Sequence, residues 1–580
     1  MKKLLATLLA ATMLVGCGGG SAAGTSGTTS GSTDSGSAAS STAAAAPETT
    51  EAPKSEGKKE GTATTERVDR VVVAINSAST DASPYAMNTP SRGQTKEALY
   101  ATLFYVRPLH FIDEVQPYIG KSITQVDDYT WDIELFDYVY DSKGNHITAE
   151  DVLWSYEYSF KNQEFLVYGT DVESFEIIDD YHMRLKTTKT IPGVIEKLVC
   201  NNPLTIVDKE WFESASDEEK QMNPATTGRY VVEKNISGSE IVLKANDDYW
   251  QKDESLLPEI AKANVDRIDL KVITEDSMRA IALENKEIDV ARINANNLHR
   301  FYDLETGQAK EGYNVFVGMA MSPGGVSAYC NMDPDGPSVL AHDVNLRKAA
   351  LYSLSTEDFL LASGNTFATA EVSKGFGSTY SEGYQEKWND PSWDYFNYDI
   401  DKAKEFYKES GHAPGEVTIK VLMSISLFSD SQQAVVLAGL EEAGFKVDLL
   451  AVDQALFLNY RFENDVWDII FDYKGSGDHI VTGWDNLFNP VGYSNGSVCF
   501  TKDDHLVELL KNAVEDSSDE NINAFNDYLI DQAICKYTYT AMSISVAQDG
   551  ILEQFMGNNA FSGMGSTYST EYKSAVGAKN

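Results

Sequence analysis

Residues 416–452 read EVTIKVLMSISLFSDSQQAVVLAGLEEAGFKVDLLAV, and three segments of different periodicity lie in them. EVTIKVLMS (416–424) is a β-branched, apolar run of strand length. A helix is expected from about Ser431 to Ala443, with Gly444 as its stop, and FKVDLLAV (445–452) reads as the next strand. Glycine suits that stop, because a helix commonly ends in a left-handed conformation that a β-carbon disfavours. Strand, helix and strand in so short a span imply a parallel crossover, the building unit of α/β folds.

A second unit lies about 150 residues upstream. VDRIDLKVI (265–273) reads as a strand, and TEDSMRAIALENKEIDVAR (274–292) as a helix running into a short strand. Thr274 is placed as its cap, with Met278, Ile281 and Ala282 on one face. Two such units with a mixed segment between them imply two α/β lobes. Ligands of open α/β sheets bind beyond the carboxyl ends of the strands, so a site between the lobes is expected.

Order begins near Arg67, where RVDRVVVAIN makes a β-branched strand. YTWDIELF (129–136) alternates as a strand does, and ITAEDVLWSYEYSF starts a helix with Thr148 at the cap and Glu150 and Asp151 in its first turn. FEIIDDYHMRLKT reads as a strand pair turning at Asp179 and Asp180, and TTGRYVVEKNISGSEIVLKANDDYW (226–250) as two β-rich runs around Ser237 and Gly238.

Before Arg67 the chain has another character. Lys2 and Lys3 followed by the apolar run Leu4 to Val15 have the layout of a secretory signal, too short for a membrane span of about 20 residues. Residues 18–65 contain no aromatic residue and no Val, Ile or Leu. Such a segment cannot bury enough apolar area to offset its chain entropy, and it reads as a disordered tether with a reach of about 40 Å.

The 580-residue chain is strongly acidic, with 47 Lys plus Arg against 88 Asp plus Glu and a formal charge of −41. No basic footprint for phosphate contacts is present, so nucleic acid is excluded as an expected partner. Cys200, Cys330, Cys499 and Cys535 are widely spaced, without a C-x-x-C pair, and read as buried thiols. No two of the eight histidines stand at i, i+4, so no helical metal site is expected, and no cofactor motif is found. GYSNG (492–496) matches G-x-S-x-G, but Asn489 and Pro490 precede it where a nucleophile elbow needs a strand, and no enzyme is inferred.

Leu14, Val15, Gly16 and Cys17 resemble the lipobox of bacterial lipoproteins, which implies that Cys17 carries a lipid anchor. Six ordered blocks between about 115 and 515 resemble the family-5 extracellular solute-binding proteins, the peptide, dipeptide and nickel receptors of ABC importers. They are DYTWDIELFDYVYDSKGNHITAEDVLWSYEYSF, NPATTGRYVVEKNISGSEIVLKANDDYW, ALENKEIDVA, NMDPDGPSVLAHDVNLRKAALYSL, LEEAGFKVDLLAVD and YSNGSVCFTKDDHLVELLKNA. The resemblance implies a two-lobe, periplasmic-binding-protein-like α/β fold with a discontinuous N-terminal lobe. Its expected organisation is a signal peptide at 1–16, lipidated Cys17 and tether over 17–66, lobe I over 67–318 with an extra subdomain at about 93–224, lobe II over 319–495, and a return to lobe I over 496–580.

It further implies capture of a solute, short peptides first, and delivery to an ABC permease and its ATPase. The protein is then expected at the outer face of a cell membrane of Gram-positive type, as a monomer without catalysis. The same fold could serve a surface adhesin or sensing receptor, or take an oligosaccharide, an opine-like compound or a chelated metal. Two positions depart from the family pattern: Arg229 stands where proline is usual, and Lys474 where peptide receptors carry tryptophan. Asp478 is the implied partner of a ligand amine, with Asp485 beside Trp484 as its rival. Trp393, Trp484 and Tyr329 are candidate pocket walls, Asn331 a candidate backbone ligand, and Ser79, Tyr85 and Asn88 follow the first strand where a cleft should open. Arg347 reads as structural.

Overall fold

The strand Val68–Ile75 sets the layering: Val71, Val73 and Ile75 enter one apolar core, while Val72 and Ala74 enter a second on the opposite face. A strand covered on both sides reads as a continuous apolar run, as VVVAI does. The computed structural model describes residues 62–76, 80–85, 92–105, 115–162, 171–190, 193–200, 204–258, 261–304, 306–318, 324–367, 369–475, 479–490, 498–553 and 566–576.

Among them a seven-stranded mixed sheet runs in the order Tyr313–Gly318, Ser543–Gln548, Val290–Arg292, Val68–Ile75, Val265–Val272, Glu240–Ala245, Tyr230–Ile236. A six-stranded mixed sheet runs Ala370–Val372, Cys535–Ala541, Gly324–Cys330, Ile469–Gly475, Thr418–Ser424, Lys446–Val452. Both expected crossovers are present. Val68–Ile75 is parallel to Val265–Val272 and to Val290–Arg292, and Thr418–Ser424 is parallel to Lys446–Val452 and to Ile469–Gly475.

The helix of the second crossover, Asp430–Ala443, opens on a capping box between Ser429 and Gln432 and closes on Gly444 at φ 120°. In the first crossover the expectation is corrected. The helix Asp276–Glu284 is preceded by Glu275 without a side-chain cap, and Thr274 stands outside it. Asp276 organises the start instead, accepting from Arg279 at 2.9 Å and from the Asn297 amide at 2.6 Å. Anchoring Arg279 inward turns Met278 out to 52% exposure and Ile281 to 38%, while Ala282 stays buried.

A separate four-stranded antiparallel sheet, ordered Gly120–Asp127, Thr130–Leu135, His182–Thr187, Val172–Asp179, lies within the segment expected as an extra subdomain. The helix Ala149–Asn162 packs on it, with the Tyr156 and Phe175 rings 5.0 Å apart. Thr148 stands before that helix and donates to Asp151 through its amide and hydroxyl, at 2.8 and 3.0 Å.

The chain passes from the first sheet to the second between Gly318 and Gly324, and returns across Met542 alone. The stretch expected to return from 496 onward thus still contributes to the second sheet before Met542. The strand Cys535–Ala541 still pairs with Gly324–Cys330, and the helix Asp519–Asp531 before it accepts from Trp388 through Asn523 and from the Phe376 amide through Asn526. The C-terminal stretch is then tied to the first sheet by the Asp289 carboxylate, which accepts from the Val72 amide, the Ala575 amide and the Ser574 hydroxyl. No helix among the described residues is long and apolar enough to cross a membrane.

Candidate functional site

The parallel strands give each sheet a carboxyl edge, where backbone amides and loop side chains are free to meet a ligand. In the first sheet the register Ile75↔Val272 and Ala74↔Ala291 brings three strands to one level and leaves Arg292 at the rim. In the second sheet, Ser424↔Val452 and Leu422↔Ile470 align the three parallel strands, with Tyr473 near the end of the third.

The second edge is mostly apolar and open. Ile425 (57% exposed) and Leu427 (44%) follow its first strand, and Tyr473 is 48% exposed. Unburied apolar side chains gathered at one edge mark a place where something apolar is received. Polar groups fix that rim: the Ser424 hydroxyl lies 2.8 Å from Gln454 Oε1 and 2.9 Å from the Ser426 hydroxyl. On the other face of the strand, Asp472 is buried 3.6 Å from Arg461, and burial pushes its carboxyl up to about 6.

Arg292 and Tyr473 combine exposed surface with loss of water. Arg292 is exposed, yet surrounding protein lowers its guanidinium pKa, and desolvation likewise raises the Tyr473 phenol. The two lie on different sheets and feel each other's charge.

Most of the residues singled out from sequence lie elsewhere. Tyr329 is fully buried against Phe376, and Trp484 is buried with its ring nitrogen donating to the Phe376 carbonyl at 2.6 Å and its ring 4.7 Å from Phe525. Both are buried within the core. Asn331 is a loop cap: its amide donates to the Asn464 and Trp467 carbonyls at 2.8 Å and its oxygen accepts from the Asp333 amide. Trp393 is half-buried and donates to the Lys374 carbonyl. Tyr85 belongs to an aromatic cluster with Trp154, Tyr158 and Phe212 and donates to the Thr205 carbonyl. Ser79, Asn88, Asp478 and Cys17 lie outside the described residues, as does GYSNG.

Asp485 is the informative case. It is 5% exposed, and Lys189 from the small sheet's last loop reaches it at 2.6 Å, while the Asn489 amide takes its other oxygen at 2.7 Å. The ammonium expected from a ligand at this carboxylate is supplied by the chain itself. Lys189 is shared with Asp171 at 3.2 Å, and those two partners raise its pKa against the burial that lowers it.

Arg229 is explained by packing: its guanidinium donates to the Asn246 carbonyl at 2.8 Å and lies 5.1 Å over the Tyr249 ring. Arg347 is structural as expected, donating to the Gln532 and Leu340 carbonyls. Cys200, Cys330, Cys499 and Cys535 are buried. Among the described residues no group of three or more His, Cys, Asp or Glu could hold a metal. Sequence reasoning passed over Arg292, Tyr473 and Lys189. The signal for Arg292 was its place at the end of a strand in a crossover already identified.

Residues 114–495 match the model of the bacterial extracellular solute-binding proteins, family 5, middle region. Among curated proteins, the nickel-binding protein NikA of Staphylococcus aureus is 24% identical over 225 residues, which is 39% of this chain and 41% of that protein. The aligned part thus spans under half of that relative. The ABC transporter substrate-binding protein CtaP of Listeria monocytogenes superposes with a TM-score of 0.70 at 18% identity, covering 87% of this chain and 100% of that one. DppA of Helicobacter pylori, solved in complex with the peptide STSA, superposes at 0.66 with 17% identity, covering 87% and 99%.

Proposed function

The chain belongs to the bacterial extracellular solute-binding proteins of family 5, and from that premise we propose that it is the substrate-binding component of an ABC importer, taking short peptides between its two sheets and handing them to a permease. The observation that carries this is the pair of carboxyl edges, one bearing Arg292 and the other an exposed apolar rim with Tyr473, on sheets joined by strand-to-strand crossings. An apolar rim with a few fixed polar groups suits side chains of varied sequence, with the peptide backbone held by hydrogen bonds.

The protein captures and releases, without chemistry. A lipid on Cys17 would hold it at the outer face of the membrane, with the tether over 17–66 giving the body its reach. Native mass spectrometry of the chain from residue 62 onward, before and after unfolding and refolding, tests the proposal. A ladder of peptide masses released on unfolding supports it. A single non-peptide mass replaces the solute and keeps the receptor, and an empty protein that no peptide pool stabilises overturns the transport reading.

A further inference from the structure

Two contacts join the bodies built on the two large sheets at places away from the strand-to-strand crossings. The first lies where the carboxyl edges meet. Asn296 stands in the helix Ala295–Leu298, which follows Val290–Arg292 of the first sheet. Gly364 follows the helix Thr356–Ala362, which is tied to the second crossover by the Ser429 hydroxyl donating to the Ala362 carbonyl at 3.0 Å. Phe359 of that helix packs on Phe471 of the second sheet, rings 5.4 Å apart. The Asn296 side-chain oxygen lies so close to Gly364 that a β-carbon added there would overlap it.

The second contact is the bridge made by Lys189. Asp171 and Lys189 flank the outer strands of the small antiparallel sheet, which joins the first body through Phe136 and Trp250, rings 5.9 Å apart. Asp485 belongs to the helix Ile480–Phe488, held to the second body by Trp484 against Phe525. Lys189 reaches Asp485 at 2.6 Å and Asp171 at 3.2 Å. If the bodies part, the ammonium keeps a carboxylate on its own side while Asp485 exchanges it for water, so neither charge is stranded. Gly364, at φ 85°, has no side chain to interlock and can leave Asn296 as freely.

We propose that these two contacts are a latch: they form when the two bodies close, break when the bodies part about Met542, and set how much of the protein is closed before a solute arrives. Apparent affinity scales with the fraction of protein in the binding-competent form, so the latch tunes capture whichever solute is taken.

The test needs no solute. Ser277→Cys and Ser431→Cys, exposed and at the start of each crossover helix, carry a pair of spin labels in the chain from residue 18, whose own cysteines are buried. Double electron–electron resonance should show a short and a long distance. Gly364→Ala should raise the long-to-short ratio by about threefold or more, and Lys189→Met should do the same. Combined, the two increases should multiply, as effects at separate sites do. Adding Asn296→Ala to Gly364→Ala should reverse most of the opening, because the overlapping oxygen is gone; strain at the positive φ alone would not be relieved in this way.

Unchanged distances in Lys189→Met and Gly364→Ala, with melting temperatures lowered, would make both residues supports of folding only and overturn the latch. A single short distance that no variant lengthens also overturns it. The expected shifts in a protein that retains no peptide support the latch and count against the peptide reading alone.

Discussion

A buried carboxylate needs a partner, and at Asp485 the partner is Lys189, 29% exposed at its side chain. Lys189→Met keeps the apolar stem and removes the charge, leaving Asp485 with the Asn489 amide as its side-chain partner among the described residues. Urea unfolding should show a loss of about 1–3 kcal/mol, scaled down from a fully buried pair because Lys189 is partly solvated. Adding Asp485→Asn should restore most of it, and unchanged stability in the single variant would show that the pair is neutral. His479 is a second residue with a pH consequence. Its Nδ1 accepts from the Val481 amide at the start of the helix Ile480–Phe488, a role only neutral imidazole can fill, and burial lowers its pKa to about 4. The unfolded chain binds that proton near 6.5, so the contribution is complete above 6.5 and is lost as pH falls toward 4, by about 3 kcal/mol in all. His479→Asn caps without titrating, and the difference in stability between variant and wild type should grow across that window. A constant difference from pH 7 to 4 would refute the cap.

At the scale of elements, the second crossover is held by close packing as well as by its caps. Gly439 on the helix Asp430–Ala443 lies where an added β-carbon would meet the Ser353 carbonyl oxygen at 2.2 Å, and that oxygen is backbone. Gly439→Ala should therefore cost about 1–3 kcal/mol despite alanine's better helix propensity. Ser429→Ala, which removes half of the capping box, should cost about 1 kcal/mol. Thermal melts that rank the two variants the other way would mean that the helices move apart cheaply. This crossover was legible residue by residue because cap, apolar run and glycine stop are local signals. The first crossover was legible as strand, helix and strand, but its buried face was not. Arg279 lies inside because Asp276, Ile273, Thr274 and Arg292 supply its acceptors, an arrangement that 3.6-residue periodicity cannot foretell.

At the scale of the whole molecule, the two sheets share two crossings, one between Gly318 and Gly324 and one at Met542. Closure around a solute would be absorbed at Met542, as hinge motions are by a few element-terminal residues. Amide exchange of the chain with and without a retained peptide pool should slow at Ser424–Leu427 and Tyr473, and also around Met542. Slowing at the edges alone would show binding without closure. A pool at about 100 times its Kd should add about 2.7 kcal/mol to stability if it binds only the folded form. By itself the sequence determined the fold class, the family, both crossovers and the acidic, exported character, because periodicity, caps and composition are local or additive. Only the tertiary structure decided which aromatic side chains are core, that Asp485 is answered by a lysine nearly three hundred residues upstream, and that the chain returns at Met542. Burial and pairing depend on what long-range strand pairing brings into contact, and no local pattern in the chain records that.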